Sequence, residues 1–250
     1  MNSEKYSLKI CHLYPDTLNL YGDRGNILCM KKRMEWRGHE AQIYEVNIGE
    51  NFNPYDYDIF FIGGGQDFEQ SVLLNDLKND DKRNAILRAV DEEKVFLTIC
   101  GGYQLLGNYY KTWDGKQCDF LGAIDVHTIG EKKRMVGDFM FKLDDADGGH
   151  IVTGFENHSG KTYLGEGVKP LGYILSGHGN NGEDKTEGAR YKNVYATYSH
   201  GPLLPKNPGL CDEILKVALK RKYGSVLLSQ LDDTLELNAA RFMENRLKKG

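Results

Sequence analysis

The stretch VFLTICGGYQLLG, Val95 to Gly107, decides the reading of the fold. Five residues suited to a buried strand stop at Cys100. Two glycines follow, and a helix begins near Gly102. A strand that turns this sharply into a helix lifts its corner residue above the edge of the sheet. The glycines tolerate the tight turn and let a substrate approach the backbone. At a helix N-terminus the dipole and the free N–H groups favour a thiolate over a thiol. Cys100 is therefore a candidate nucleophile, against the plainer reading of a small apolar residue at a strand end. The other cysteines (Cys11, Cys29, Cys118 and Cys211) read as structural.

Upstream, LKICHLYP reads as a first strand and DTLNLYGDRGN as a polar loop. Ile27, Met30 and Met34 fall at helical spacing, and Gly38 is placed to end that helix. AQIYEVNI suits a strand. YDIFFIGGG is an apolar run closed by three glycines, the mark of a parallel strand buried on both faces. A polar helix covers roughly 80–93. This alternation predicts an α/β fold: a flavodoxin-like, doubly wound, mostly parallel sheet with helices on both faces.

From Asp114 to about Tyr195 the apolar runs shorten and Gly, Asn and Asp become frequent, which predicts a strand-rich middle insertion. VYATYSHGPLLPKNP, Val194 to Pro208, reads as a strand ending in a loop. Helical patterns follow from about Leu210 to Tyr223 and from Asp232 to Lys248. In the last, Leu235, Ala239 and Phe242 share a face. Residues 1–223 read as one domain and 224–250 as a helical extension packed on it.

Composition narrows the function. The 250 residues carry a net charge of −4 with scattered Lys and Arg, so nucleic acid is not an expected partner. No apolar run approaches the roughly 18 residues of a membrane span. The first residues lack a signal-peptide pattern, and five cysteines without CxxC spacing suit a cytoplasmic chain with reduced thiols. HExxH and GxxxxGK[ST] are absent, so no metal or P-loop nucleotide site is expected, and no cofactor.

A cysteine nucleophile needs a base. His200 ends the strand VYATYS, and sites in open α/β sheets gather at the carboxyl ends of strands. His200 is therefore the first choice. His158, in a Gly/Asn setting, reads as structural or substrate-lining. The glycines of FFIGGGQD offer backbone N–H groups, Gly64 foremost, to complete an oxyanion hole with Gly101, although a tight βα turn explains them as well.

TICGGYQLLG, FFIGGGQD and TYSHGPLLPKNP together resemble class I, triad-type glutamine amidotransferases, and more closely the branch shared with cobyric acid synthases. GFENHSGKT resembles that branch's Gly-aromatic-Glu-x-His-x-Gly segment. With GDRGN and HGNNGEDKTEG, the likeness narrows to the glutaminase subunits of lipid II isoglutaminyl synthases. It covers most of the chain but not the tail after about Tyr223.

The resemblance implies that Cys100 attacks the side-chain amide of L-glutamine, with His200 as base and then acid. It assigns Arg134, in KKRMVGDF, to substrate binding, where a guanidinium suits an α-carboxylate. Gln104 is a further substrate-binding candidate. The ammonia would pass to a Mur-ligase-like synthetase subunit of the MurT type in a heterodimer. That partner would use ATP to amidate the D-glutamate of lipid II to D-isoglutamine.

One departure stands out. Many triad-type relatives place a Glu two residues after the histidine, and here that position is Pro202, with no acid before Asp212. The expectation is a Cys–His dyad whose missing carboxylate the partner inserts. Other readings are a stand-alone cysteine hydrolase or peptidase of the same superfamily, a subunit using the corner only for packing, and cobyrinic acid amidation.

Overall fold

A computed structural model describes residues 5–65, 67–144 and 149–248, with the backbone alone for 67–71. Gln66 of the FFIGGGQD motif lies outside the described residues. The first sheet holds β1 (Ser7–Leu13), β2 (Glu40–Val46), β3 (Ile59–Ile62) and β4 (Val95–Ile99). The second holds β5 (Tyr109–Lys111), β6 (Gln117–Asp119), β7 (Val126–Leu143), β8 (Ile151–Leu164), β9 (Gly172–Ser176) and β10 (Thr186–Glu187). The chain then returns to the first sheet through β11 (Ala189–Tyr191) and β12 (Val194–Thr197).

The first sheet runs β11-β12-β4-β3-β1-β2 and is parallel except for its β11 edge. Every residue of β3, β4 and β12 is buried, as continuous apolar runs between two layers require. Phe60 and Phe96, paired in register, stack with ring centroids 4.8 Å apart. The connection through α1 (Arg24–Glu35) steps from β1 to β2. The connection through α2 (Asp67–Asp76) and α3 (Asp80–Asp91) steps the other way, from β3 to β4. Right-handed crossovers put these on opposite faces, which is the doubly wound arrangement expected.

The middle insertion is the second sheet, ordered β10-β9-β7-β5-β6 with β8 on β7. Only β5 and β7 pair parallel there. The loop DTLNLYGDRGN is less polar in its surroundings than its composition suggests. Leu18 and Asp23 are fully buried, and Asn26 at its end accepts the Leu204 N–H on its Oδ1.

Beyond β12 come α5 (Leu203–Lys206), α6 (Pro208–Tyr223) and α7 (Thr234–Leu247). The shared face of Leu235, Ala239 and Phe242 is not an inward face: Leu235 is 81% and Phe242 69% exposed, and α7 buries no residue. The tail is held before α7, where Leu228 and Val226 pack on the core and polar contacts add to them. Arg33 of α1, itself buried, donates to both carboxylate oxygens of Asp212 at 2.7 and 2.8 Å and to those of Asp233 at 2.5 and 2.9 Å. Arg37 donates to Ser229 O at 2.7 Å and to Asp212 at 2.6 Å.

Breaking a buried charge cluster by removing one partner costs on the order of 3 kcal/mol, because the remaining charges lose their compensation. Arg33→Leu should therefore lower the denaturant midpoint and expose residues 224–233 to limited proteolysis. A variant with unchanged midpoint and protease resistance would remove Arg33 as the anchor.

Candidate active site

Cys100 sits at the corner between β4 and α4 (Gly101–Leu106) with φ 48° and ψ −103°, a conformation few non-glycine residues adopt. Such strain persists only where the surroundings dictate it. Here the Cys100 N–H is fixed to Thr197 O at 2.8 Å, tying the corner to β12. Gly102 makes the turn possible, since a Cβ there would lie 2.6 Å from Ile62 O. Gly101 opens α4 and carries one of the N–H groups that a helix start leaves without an intrahelical acceptor.

His200 follows β12 and is buried, as is Cys100. Its backbone is bridged to Phe155 of β8, with Phe155 O accepting the His200 N–H at 2.8 Å. Its Nδ1 faces both carboxylate oxygens of Asp23, at 3.3 and 3.4 Å. Nε2 is buried and makes no hydrogen bond within the described chain, which leaves it for the Cys100 side. Burial alone would push the imidazole down; the Asp23 carboxylate and the Cys100 sulfur outweigh it and hold His200 up to about 10.

Asp23 corrects the expectation of an acid supplied by a partner. The carboxylate beside His200 comes from the chain itself, from the loop after β1 rather than from the segment after the histidine. Asp23 stands at the N-cap position of α1 but makes no capping bond. Its Oδ2 instead accepts the Gly64 N–H at 2.8 Å. A second expectation falls with this: the Gly64 N–H is spent on Asp23 and is not free for an oxyanion. Gly64 matters as a contact surface, because a Cβ there would lie 2.5 Å from His200 Cε1. Its neighbour Gly65 lines the pocket.

These groups open into a pocket of about 420 Å³ that also reaches Gln104, Arg134, Asn157, His158 and Tyr21. Cys100, His200, Gln104 and Arg134 are thus brought to one cavity from β4, β12, α4 and β7. Arg134 sits at an irregularity in the β7–β8 pairing between Gly130 and Met135, exposed at the rim. Gln104 Nε2 donates to Tyr198 OH at 3.0 Å on the floor. His158 lies flat on Tyr198, 3.6 Å between ring centroids, with Nδ1 at 2.8 Å from Gly160 O. Asp212, the first acid after His200 in sequence, pairs with Arg33 and Arg37 instead. Among the described residues no cluster of three or more potential metal ligands occurs, and no helix is long and apolar enough to cross a membrane.

A model of the CobB/CobQ-like glutamine amidotransferase domain matches residues 9–208. The chain is 41% identical over 237 residues to the lipid II isoglutaminyl synthase (glutamine-hydrolyzing) subunit GatD of Streptococcus pneumoniae, covering 94% of this chain and 90% of that one. It is 38% identical over 244 residues to the subunit of the same name from Staphylococcus aureus, covering 98% of each. A solved glutamine amidotransferase from Thermotoga maritima superposes with a TM-score of 0.53 at 16% identity, over 97% of this chain and 94% of that one, a likeness of fold.

Asp23→Asn should remove the charge that holds His200 up. The counterweight to burial then shrinks to the Cys100 sulfur, so the pH at which the ring titrates falls below about 10. Ring-proton NMR across pH reads this directly. The Asn variant titrating where the native chain does would separate Asp23 from His200.

Proposed function

The chain belongs to the CobB/CobQ-like glutamine amidotransferase family, and from that premise we propose that it is the glutaminase subunit of a lipid II isoglutaminyl synthase. It is a glutamine amidotransferase enzyme. The observation carrying the reading of its site is the convergence of Cys100 and His200, with Asp23 buried behind the imidazole, on a pocket rimmed by Arg134. The partner and acceptor rest on near-full-length similarity to the two named subunits.

The chemistry follows from the groups present. The Cys100 sulfur attacks the side-chain carbonyl carbon of L-glutamine. The oxyanion that forms is received by backbone N–H groups, Gly101 first and Gly65 in place of Gly64. His200 starts protonated beside Asp23 and gives its Nε2 proton to the amide nitrogen as the C–N bond breaks and ammonia leaves. The neutral imidazole then takes a proton from water, which cleaves the thioester to glutamate and restores the thiolate. Asp23 keeps Nδ1 protonated and the ring in one orientation, as an orienting acid does. Arg134 clamps the α-carboxylate, and Gln104 lines the slot.

Ammonia released here needs a consumer. The reading gives this role to an ATP-dependent, Mur-ligase-like synthetase that amidates the α-carboxyl of D-glutamate in the lipid II stem peptide. The two chains would work in the cytoplasm as a heterodimer in peptidoglycan synthesis. Residues 1–223 would form the amidotransferase domain, with 224–250 as its extension. Purification of the chain from native cells with any bound synthetase, followed by assay with ATP, glutamine and lipid II, tests this. Amidation of free glutamyl peptides in place of lipid II would replace the acceptor, and a solitary chain cleaving peptides would replace the function.

Cys100→Ala should abolish ammonia release and leave thermal stability nearly unchanged, because a methyl fits the same corner. Residual turnover at an appreciable rate would show a different nucleophile. Arg134→Ala should lower kcat/KM for glutamine about ten- to a hundredfold through KM, the usual cost of a charged hydrogen-bond donor. A specificity constant equal to the native one would remove the clamp.

A further inference from the structure

Arg134 is not a free arm at the rim. Its Nε–H donates to Asn157 Oδ1 at 2.7 Å and its Nη2 to Asn157 O at 2.8 Å. A guanidinium has a side-on fork, Nε with one Nη, and an end-on fork, Nη1 with Nη2. Asn157 occupies the side-on fork, so the plane of the group is set and the end-on fork is left for a ligand carboxylate. The same Asn157 side chain donates its Nδ2 to Tyr21 OH at 2.5 Å. Tyr21 packs edge-on against the His200 ring, centroids 4.9 Å apart, and against Phe155 at 6.0 Å. All three bridge members line the pocket.

Tyr21 holds this place at φ 54°, in the left-handed region that tyrosine seldom visits. It is also 46% exposed, so burial alone does not dictate its conformation. Its hydroxyl meets the Asn157 amide, and its ring packs against His200 and Phe155. The bridge therefore crosses the pocket from the loop after β1 to β8 and β7, with the guanidinium at one end and the imidazole at the other.

We infer that Tyr21 and Asn157 are positioning residues that couple recognition of the substrate's α-carboxylate to the placement of His200. This rests on the glutaminase reading. Asn157 pre-orients the Arg134 fork, which spares the ordering cost when a carboxylate docks. The Tyr21 hydroxyl accepts the Asn157 amide N–H, and the Tyr21 ring packs edge-on against the imidazole. An amide lacking the carboxylate cannot draw on the first half of this arrangement.

The full chain is assayed for ammonia release from L-glutamine and from 4-aminobutanamide, which is glutamine without its α-carboxylate. Asn157→Ala and Tyr21→Phe should each raise KM for glutamine about tenfold, the loss expected for one charge-assisted contact. Neither should affect the truncated amide, and Tyr21→Phe, which cuts the link between Asn157 and the ring beside His200, should also lower kcat for glutamine. Placed in an Arg134→Ala background, Asn157→Ala should add nothing. Tyr21→Ala, which also removes the ring, should lower kcat for both amides and shift the pH profile. Equal losses on both amides, or losses that multiply with Arg134→Ala, would overturn the coupling while leaving the glutaminase reading intact. A wild-type chain with no Cys100-dependent ammonia release would remove the reading and the coupling together.

Discussion

The buried carboxylate of Asp23 has two polar claims on it, the Gly64 N–H and the His200 ring. Those claims join three segments that follow β1, β3 and β12, the carboxyl ends of three parallel strands. A carboxylate with no solvent exposure is costly unless its oxygens are engaged. That cost makes the junction stringent: Asp23 is satisfied only when the glycine turn and the histidine strand are both in place. The sheet order supplies the geometry, since β1 and β4 flank β3, and β12 adds on the far side of β4. Cys100 is drawn into the same junction through its N–H bond to Thr197.

The parallel layer was legible because its signals are local. VFLTI and IFFI are short, largely apolar runs with glycines close behind them, and burial on both faces leaves no alternation to confuse them. The positions of Cys100 and His200 just past β4 and β12 were readable for the same reason. Asp23 was not. An Asp just before a helical pattern reads as an N-cap, and nothing local reveals that its side chain turns away to Gly64 and His200. The search for an acid also followed the chain past His200, whereas the sheet brings the loop after β1 to that point. The usable signal was topological: that loop shares the carboxyl edge with the Cys and His loops. The Gly64 assignment failed for the linked reason that its N–H already had a buried acceptor. In α7 the apolar face was visible, but sequence could not show that Arg33 and Arg37 place the tail by charge.

The second sheet is more than an insertion. Its long β7–β8 pair forms one wall of the pocket, and the irregularity at Gly130–Met135 turns Arg134 toward it. Asn157 and His158 alternate along β8, so one strand gives a group to the rim and the next to the Tyr198 floor. The two sheets thus each supply groups to the pocket, and among their links is a backbone bridge between Phe155 and His200.

That division has a consequence in time. During synthesis the chain emerges with Asp23 first, the strained Cys100 corner much later, and His200 only after the whole second sheet has been made. Parallel strands separated this widely pair late, because the loop-closing cost comes before the contacts that reward it. β12 fills the slot beside β4 and supplies the Thr197 carbonyl that fixes the Cys100 N–H. A nascent chain or a fragment ending before β12 therefore has Cys100 without His200 in its pocket and without the bond that holds the corner. The pocket that gathers Cys100 and His200 is thus complete only once the last parallel strand is seated.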